Sequence, residues 1–572
     1  MLDSYLRDRK VAVRYGGELF TKDTTKGCVQ GSIGGPILWN LLLDPLIKEL
    51  ASNGNYCQAF ADDVVLIFEG DTALEIQTRA NAALAHVRDW GIRNKLNFGP
   101  TKTKAMVITR KLRYDVPVLR MGGVDIGMSN DIKILGLFLD NKLTFNKHVA
   151  EVCRKATGIY KQLARAARIG WGLQPEIVRL IYNAAVEPVI LYAASAWAPA
   201  ADKLCVQKHL NNVQRGFAQK LTKSYRTVSL NSALILSGLV PLDLRIKEAA
   251  ALYEAKRGVP MAELGDREFM CLINQEQVVC NNTQAIRIFT DGSKIGGEVG
   301  ASLSLWKGDD EIKAVKLKLS PYCTVYQAEL LAICVATRVI LERREGSFGI
   351  YSDSRSALET VTNNASKHHL AMESRSNIKI IKTQGRELSL FWIKAHAGLD
   401  GNERADELAK EAAKGKKTKP DYDLCPVSFI KRRLRGKSLD EWNRRYRSGE
   451  TASVTKIFFP DAVAAYRTVR KLQPTGILTQ VLTGHGGFAH YLNRFRCRDS
   501  PSCVCDPDVS ETIIHLLFEC PSNLKLKHHI ESRLDMSIDI NNISTILSDK
   551  NKRNIFVKYC TEIAQAAIKR NK

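Results

Sequence analysis

Four acidic residues in the middle of the chain have the types and spacing that metal-dependent chemistry needs. They are Asp291, Glu329, Asp353 and Asp406. Asp291 and Asp353 stand at the ends of the strand-like runs "IRIFT" and "FGIYS". Glu329 and Asp406 lie in helix-like runs. Carboxylates at the ends of strands and on helix faces can converge on a pair of divalent metal ions. The pattern therefore predicts one shared metal site.

Each of these acids also has a purely structural explanation. The two aspartates could cap a turn at Gly292 and the helix after residue 353. Glu329 could be a surface charge on its helix, and Asp406 could pair with Lys410 one turn later. Four acids placed in this way within one segment, residues 286–415, favour the shared site.

A second acidic motif is the pair Asp62 and Asp63 in "QAFADDVVLIFEG", residues 58–70. A divalent cation such as Mg²⁺ would neutralise adjacent carboxylates. A solvated hairpin tip would tolerate the pair equally well. Both interpretations predict the same hairpin.

A glycine-dense turn, "GCVQGSIGGPILWN", precedes this pair and leads into an apolar helix. Glycines allow a backbone to approach a ligand closely, which makes Gln30 and Gly31 candidate binding residues. A tight turn before a helix, with Pro36 near the first helical turn, is the structural alternative.

A third motif, near the C-terminus, combines thiols with an imidazole. Cys503, Cys505, His515 and Cys520 supply the mixture of ligands that tetrahedral zinc prefers, and Cys497 could replace either of the first two. The alternative is that the last two of the four residues face the protein core from a helix over "ETIIHLLFEC".

Composition sets the broad class of the protein. The 572 residues suit three or four domains, and 84 Lys plus Arg against 60 Asp plus Glu give a net charge of +24. This excess favours a polyanionic partner such as nucleic acid. Fourteen scattered cysteines and a charged N-terminus indicate a reducing, intracellular location in the cytoplasm and nucleus. We find no apolar run long enough to span a bilayer, so no membrane partner is expected.

The central acids occur in the strings "TDGS", "QAEL", "SDS" and "HAGLDGNERAD", whose types and order resemble the RNase H family. The resemblance implies a five-stranded mixed sheet flanked by helices. It also implies cleavage of the RNA strand of an RNA:DNA hybrid, with the four carboxylates holding two Mg²⁺ ions for water activation and leaving-group stabilisation. His396, on the glycine-flanked loop, would carry a proton or assist product release.

The N-terminal part resembles the palm of reverse transcriptases from non-LTR retrotransposons of the arthropod I-factor, jockey and ribosomal-DNA-inserting kind. The strings "QGSIGGPILWN" and "FADD" carry the resemblance, followed by "KLNFGPTKTKAMVITR" with Lys102 and by "DIKILGLFLD", which resembles the primer-holding hairpin. Gly99 stands where the family commonly has Asn. The helical region that follows is similar to the thumb of the same elements.

The family needs a third palm aspartate, on a strand upstream of the Gln-Gly turn. Only Asp3, Asp8 and Asp23 precede that turn here, and none has the expected setting. We therefore expect the fingers and the first catalytic strand to be missing. RNA-directed DNA polymerase activity is expected from the family but not from this fragment.

The tail string "TGHG", followed by Cys-x-Cys, His and Cys, resembles the C-terminal module of these elements and strengthens the Zn²⁺ interpretation. We predict a multidomain α/β chain that combines an α+β palm, a helical thumb, an RNase H-like α/β domain and a small helical zinc-binding tail. The predicted domains are 1–145 (partial palm), 146–283 (thumb and connection), 284–416 (RNase H), 417–475 (basic helical linker) and 476–572 (Cys/His module).

Two hypotheses for function follow. The first is a retrotransposon-derived RNase H joined to a truncated polymerase, with an RNA:DNA hybrid, template RNA, target DNA, the element's own RNA and a nucleocapsid-like protein as partners. The second is a degenerate nucleic-acid-binding protein without turnover. In the basic segment 429–447, Trp442 and Tyr446 could stack on a single strand, although a solvated basic helix explains them as well.

Overall fold

The computed structural model describes residues 7–24, 32–166, 172–257, 270–272, 284–363, 366–395, 399–415, 419–472 and 474–572. It divides into two compact units, Met1–Val152 and Cys153–Lys572.

Short hairpins and two long helices make up the first unit. Its strands are β1 (Lys10–Tyr15), β2 (Glu18–Asp23), β3 (Tyr56–Phe60), β4 (Asp63–Ile67), β5 (Lys104–Ala105), β6 (Arg120–Met121), β7 (Val124–Asp125), β8 (Gly127–Met128), β9 (Asp131–Ile134) and β10 (Leu137–Asp140). β1 pairs with β2, β3 with β4 and β9 with β10, whereas β5 pairs with β8 and β6 with β7. Its helices are α1 (Gly34–Ser52), α2 (Ala73–Arg93) and the start of α3 (Asn146–Ala166).

The core of the first unit lies between its two long helices. α2 begins at Thr72, whose hydroxyl accepts a hydrogen bond from the N–H of Glu75. Apolar residues three and four apart on each helix are buried in one cluster, because such positions share a helix face. They include Leu43, Leu46 and Leu50 of α1 and Leu84, Val87 and Trp90 of α2.

The second unit opens with a series of helices. They are α4 (Pro175–Ile181), α5 (Glu187–Leu191), α6 (Ala194–Trp197), α7 (Leu204–Thr222), α8 (Leu230–Ser237) and α9 (Leu242–Arg257). Among the residues that the structure describes, no single helix has the length and apolar run to cross a bilayer. The pair Pro175–Leu191 and Ala194–Asp202 meets that test only together, with a 50° bend between its halves.

One mixed sheet forms the centre of the second unit. Its strands are β11 (Met270–Leu272), β12 (Ile286–Ile295), β13 (Glu298–Lys307), β14 (Asp310–Leu319), β15 (Ser347–Ser352) and β16 (Glu387–Ile393). They lie in the order β11, β16, β15, β12, β13, β14, in which β12, β13 and β14 are antiparallel and the other pairs are parallel. The predicted five-stranded mixed sheet is therefore present, and the short β11 adds a sixth strand at its edge.

Four helices accompany the sheet. They are α10 (Val325–Leu341), α11 (Arg355–Thr362), α12 (His369–Thr383) and α13 (Asp400–Lys414). Because side chains alternate across a strand, neighbouring residues serve opposite faces. Phe289, Tyr351 and Phe391 stack on the face that packs on α13, with ring centroids 5.0 and 4.7 Å apart. Ile288 and Ile350 point to the other face and join α10 in the larger core.

The remaining chain is helical apart from one hairpin. Its elements are α14 (Val427–Ser448), α15 (Ser453–Phe458), α16 (Ala462–Val469), α17 (Gly476–Thr483), α18 (Ala489–Arg494), β17 (Ser502–Cys503), β18 (Asp506–Ser510), α19 (Ile513–Phe518), α20 (Leu524–Leu534), α21 (Ile543–Ser548) and α22 (Lys550–Arg570).

The basic helix α14 packs against the preceding helices. Arg445 and Asp243 form an ion pair with a 2.6 Å contact, and a second ion pair joins the helix to α9 near its middle. Trp442 and Tyr446 are 2% and 1% exposed, and the Tyr446 hydroxyl donates a hydrogen bond to the carbonyl of Phe459. Both interpretations of these two rings, stacking on a nucleic-acid strand and exposure on a solvated helix, are therefore wrong, because both rings are core residues.

Candidate active site

The register of two parallel strands places the first two acids next to each other. Thr290 of β12 pairs with Ser352 of β15, so the following residues, Asp291 and Asp353, emerge side by side. Asp353 directly follows its strand, as predicted. Asp291 does not end its strand, because β12 continues to Ile295 and the hairpin turns only at the next two glycines. The alternative role for Asp291, capping a turn at Gly292, is thereby excluded.

A close approach of α10 to the sheet brings in the third acid. The helix starts with a capping box in which Thr324 and Gln327 bond each other's backbone N–H groups. It then crosses β12 at Gly292, where an added Cβ atom would lie 2.7 Å from the backbone nitrogen of Glu329. A residue without a side chain is therefore required at position 292 for Glu329 to reach the sheet.

Asp291, Glu329 and Asp353 form one cluster. Each offers a carboxylate oxygen, and these oxygens lie within 4.8 Å of one another. Burial, followed by the charges of Asp353 and Asp406, raises the pKa of Asp291 to about 7. Burial and the other two cluster acids raise the pKa of Glu329 well above its usual range. The cluster concentrates acidic groups whose mutual repulsion favours protonation or a bound cation.

One atom of this cluster lacks a protein partner. Oε2 of Glu329 is buried and makes no hydrogen bond within the described structure. Burying a carboxylate oxygen in this way is unfavourable unless another group compensates it. Three converging hard oxygen ligands, one of them unsatisfied, fit a divalent cation.

The fourth acid, Asp406, stands beside the cluster. Its Oδ2 accepts a 2.5 Å contact from Nζ of Lys410, one helical turn later on α13. The pairing suggested by the sequence is thus present, yet Asp406 also lies close enough to Asp291 to raise the pKa of that residue. Asp406 is therefore placed to join the cluster once Lys410 releases it.

The Asp62–Asp63 pair lies at the tip of the hairpin β3–β4. Phe60 pairs with Asp63, which leaves Ala61 and Asp62 as the two-residue turn. The indole N–H of Trp39 on α1 donates a 2.6 Å hydrogen bond to the carbonyl of Ala61 and fixes the tip. Both carboxylates are exposed. Among the described residues, no third ligand side chain joins them in a metal-binding group.

The Cys/His motif forms a compact cluster around the β17–β18 hairpin. The ligand atoms of Cys503, Cys505, His515 and Cys520 lie within 4.8 Å of one another. Sγ of Cys503 is 3.8 Å from Sγ of Cys520, and Sγ of Cys505 is 3.2 Å from Nε2 of His515. A tetrahedral zinc with bonds of about 2.3 Å to sulfur would place its sulfurs roughly 3.8 Å apart.

Cys497 is exposed and is absent from this cluster. The alternative that His515 and Cys520 are core residues on one helix is correct for their burial and wrong for the helix. His515 and Cys520 are buried, but α19 ends at Phe518, so Cys520 lies beyond the helix and turns towards the hairpin.

Comparison with known proteins agrees with both enzymatic segments. Residues 1–139 match the family model for reverse transcriptase (RNA-dependent DNA polymerase), and residues 283–414 match the model for RNase H. A 115 kDa protein of the type-1 retrotransposable element R1DM of Drosophila melanogaster is 28% identical over 363 residues, which are 62% of this chain and 34% of that protein.

A second relative is the retrovirus-related Pol polyprotein from type-1 retrotransposable element R1 2 of Nasonia vitripennis. It is 31% identical over 42% of this chain and 59% of its own length. The matched models and relatives support a Pol protein of a LINE-type retrotransposon. The chain spans between about a third and three fifths of the length of these two relatives.

Among solved structures, the N-terminal RNase H domain of Rv2228c from Mycobacterium tuberculosis matches this chain at 19% identity. The match covers 22% of this chain and 98% of the solved chain, with a TM-score of 0.19.

Several of the predicted site residues lie outside these clusters. His396, Gln30 and Gly31 lie outside the described residues. Lys102 is exposed at the end of the 3₁₀ turn Pro100–Lys102, and no contact joins it to the Asp62 tip among the described residues.

Sequence reasoning missed two residues that position the acidic cluster. Gly292 permits the approach of α10, although its place inside "TDGS" could have signalled a close backbone contact. Trp392 of β16 donates a 2.9 Å hydrogen bond from its indole N–H to the carbonyl of Asp353. No sequence signal links these two residues, because the bond joins neighbouring strands.

Proposed function

We propose that this chain hydrolyses the RNA strand of RNA:DNA hybrids at the cluster of Asp291, Glu329 and Asp353. The observation that carries the proposal is the convergence of three carboxylates within 4.8 Å, one of them with a buried oxygen that lacks a described partner. The match of residues 283–414 to the RNase H family model supports the reaction class. The four acids would hold Mg²⁺ ions, which supply water activation and stabilisation of the leaving oxygen.

The protein's own groups would prepare the site for this chemistry. Glu329 is held by the capped α10, and Asp353 is held through its carbonyl by Trp392. Asp406 would exchange its pairing with Lys410 for the metal centre. His396, just ahead of α13 in the sequence, would move a proton to or from the reacting groups.

The test is cleavage of a 5′-labelled RNA:DNA hybrid by the full chain in Mg²⁺. Asp353→Asn should abolish cleavage, whereas Glu407→Gln, an exposed acid next to Asp406 on α13, should retain it. The increase in melting temperature on adding Mg²⁺ should also disappear in Asp353→Asn. Equal cleavage by both variants would refute the assignment. Hybrid binding without cleavage by the parent chain would favour the binding-only alternative.

We propose that the palm segment takes part in DNA synthesis only when a third carboxylate completes its metal site. Asp62 and Asp63 would hold Mg²⁺ for RNA-directed DNA synthesis, with Gln30, Gly31 and Lys102 contacting the template or nucleotide. Such a site needs a third carboxylate. We therefore expect no primer extension by this chain alone, and extension that depends on both aspartates would overturn that expectation.

We propose that Cys503, Cys505, His515 and Cys520 bind one Zn²⁺ ion. The set of three thiols and one imidazole, with a sulfur–sulfur distance of 3.8 Å, supports tetrahedral coordination. Burial and the neighbouring thiols raise the pKa of Cys505 to about 12, so a cation would be needed to hold its thiolate.

We propose the partners and the location of the chain from its charge and from the matched families. Its net charge of +24 suits template RNA, target DNA and RNA:DNA hybrids, and the element's own RNA with a nucleocapsid-like protein would accompany it in the cytoplasm and nucleus. The matches to two enzymatic families favour turnover over the degenerate binding role.

A further inference from the structure

A short segment between α13 and α14 covers the free edge of the central sheet at the end of β14. It consists of residues 421–424, which we call the strap. The N–H of Asp421 donates a 2.7 Å hydrogen bond to the carbonyl of Lys318, and the carbonyl of Tyr422 accepts a 2.9 Å bond from the N–H of Ser320. The strap therefore extends this edge with chain that lies outside the part matching the RNase H model.

Two side chains fasten the strap to the domain. Oδ2 of Asp421 accepts a 2.8 Å hydrogen bond from the N–H of Lys318. The ring of Tyr422 is 8% exposed and lies flat against the ring of His369 at the start of α12, with centroids 5.5 Å apart and planes inclined by 7°. Tyr422 also belongs to the larger core of the sheet and α10. The strap is thus a packed part of this domain, although the sequence predicts a linker here.

The strap also contacts the first turn of α10. Nε2 of Gln327 donates a 3.0 Å hydrogen bond to the carbonyl of Leu424. The amide oxygen of the same side chain accepts a 3.1 Å bond from the N–H of Thr324 and so completes the cap of α10. Gln327 is 4% exposed, so detaching the strap would take an acceptor away from a buried amide group, which is unfavourable. One side chain therefore joins the strap to the start of the helix that carries Glu329.

The strap and the sheet hold α10 from opposite sides. Because successive residues of an α-helix are rotated by about 100°, Gln327 and Glu329 point to nearly opposite sides of the helix. Gln327 meets the strap, whereas the backbone at Glu329 approaches β12 at Gly292. The carboxylate of Glu329 is buried, and its place in the cluster depends on where the first turn of α10 lies.

We propose that the strap, anchored by Tyr422, is a positioning element for metal binding that holds the start of α10 so that Glu329 reaches Asp291 and Asp353. The inference rests on the proposed metal-dependent function of that cluster. Groups that orient metal ligands from outside the coordination sphere change metal affinity when they are removed. The nuclease site would therefore depend on chain beyond the RNase H match, and only two residues separate that chain from α14.

The test measures the Mg²⁺ affinity of the full chain by isothermal calorimetry, below the melting temperature of every variant. Tyr422→Ala should weaken Mg²⁺ binding about 10-fold, the lower end of the range for residues that orient metal ligands. Asp421→Ala keeps the buried ring and removes one bond to Lys318, and it should weaken binding in the same direction. Tyr422→Phe, which preserves the ring, should bind Mg²⁺ as the parent does.

Two controls separate positioning from the loss of charge or stability. Asp310→Ala removes an equal charge from an exposed position at the far end of β14 and should leave Mg²⁺ affinity unchanged. Trp197→Ala removes a fully buried ring in α6 and should lower the melting temperature without changing Mg²⁺ affinity. Excess Mg²⁺ should restore hybrid cleavage by Tyr422→Ala, because its defect lies in metal affinity.

The outcomes distinguish this inference from the proposed function. Mg²⁺ binding and cleavage that both survive Asp353→Asn would overturn the proposed function and this inference with it. Parent-like Mg²⁺ affinity in both Tyr422→Ala and Asp421→Ala, with cleavage by the parent intact, would overturn the inference alone. An equal loss of affinity in Trp197→Ala would also overturn it, because general destabilisation would then explain the effect.

Discussion

Nζ of Lys410 lies 2.5 Å from Oδ2 of Asp406, at the rim of the acidic cluster. Lys410 also contributes a positive charge that lowers the pKa of Asp291. The ammonium group of Lys410 therefore supplies part of the positive charge that a bound metal ion would supply. A metal ion that took Asp406 as a ligand would therefore compete with this ammonium group.

Replacing this lysine should strengthen metal binding. Lys410→Gln removes a positive charge next to the cluster, so we expect a roughly 3- to 10-fold higher Mg²⁺ affinity at pH 8, in the range of one surface charge interaction. Titration of Mg²⁺ by isothermal calorimetry measures it. Lys414→Gln, one turn further along α13, is the control. Equal or weaker affinity in Lys410→Gln would show that the lysine does not compete.

The stabilising effect of Mg²⁺ should grow with pH. The pKa of Asp291, about 7, lies above its ordinary value of 3.8, so the metal-free folded protein binds more protons than the unfolded chain between these values. Its stability therefore falls as pH rises from about 4 to 7. A cation bound to the ionised carboxylates would remove this loss of stability. The melting temperature should rise more on adding Mg²⁺ at pH 8 than at pH 5, and a pH-independent rise would contradict the assignment.

A methyl group at position 292 should disrupt the cluster. In Gly292→Ala the new Cβ atom would meet the nitrogen of Glu329 at 2.7 Å, so α10 must move away from the sheet. We expect a loss of about 1–3 kcal/mol in the free energy of unfolding, together with weaker Mg²⁺ binding. Gly346→Ala adds the same methyl group where no atom lies within 4 Å and should change neither quantity.

Trp442 should contribute to stability and not to nucleic-acid binding. Trp442→Ala removes a fully buried ring, and we expect it to cost about 3–5 kcal/mol, measured by chemical denaturation followed by circular dichroism. Arg444→Ala, on an exposed position of the same helix, should stay within about 0.5 kcal/mol of the parent. A stable Trp442→Ala variant with weakened single-strand affinity would restore the stacking hypothesis.

Zinc content should distinguish the clustered cysteines from their neighbour. The purified chain should contain one zinc per molecule by atomic absorption, and Cys505→Ser should reduce this content and lower the melting temperature. Cys497→Ser should retain the metal, because Cys497 lies outside the cluster. Loss of zinc from Cys497→Ser alone would assign the ligand set differently.

Local signals in the sequence determined much of this protein. Alternation of apolar residues predicted the central strands, and helical spacing predicted α10 and α13, because these periodicities follow from backbone geometry alone. The acidic motifs and the Cys/His spacing identified all the residues that the two clusters contain. The periodicities depend on residues within one element, and each motif can be recognised from a short stretch of sequence.

Only the tertiary structure decided which of these residues meet. The parallel register of β12 and β15 put Asp291 beside Asp353, and the missing side chain of Gly292 let Glu329 join them. Packing of α14 made Trp442 and Tyr446 core residues, and the hydroxyl of Thr227 meets the imidazole of His485 across more than 250 residues of sequence. Such contacts depend on the register and packing of distant elements, which local periodicity does not encode.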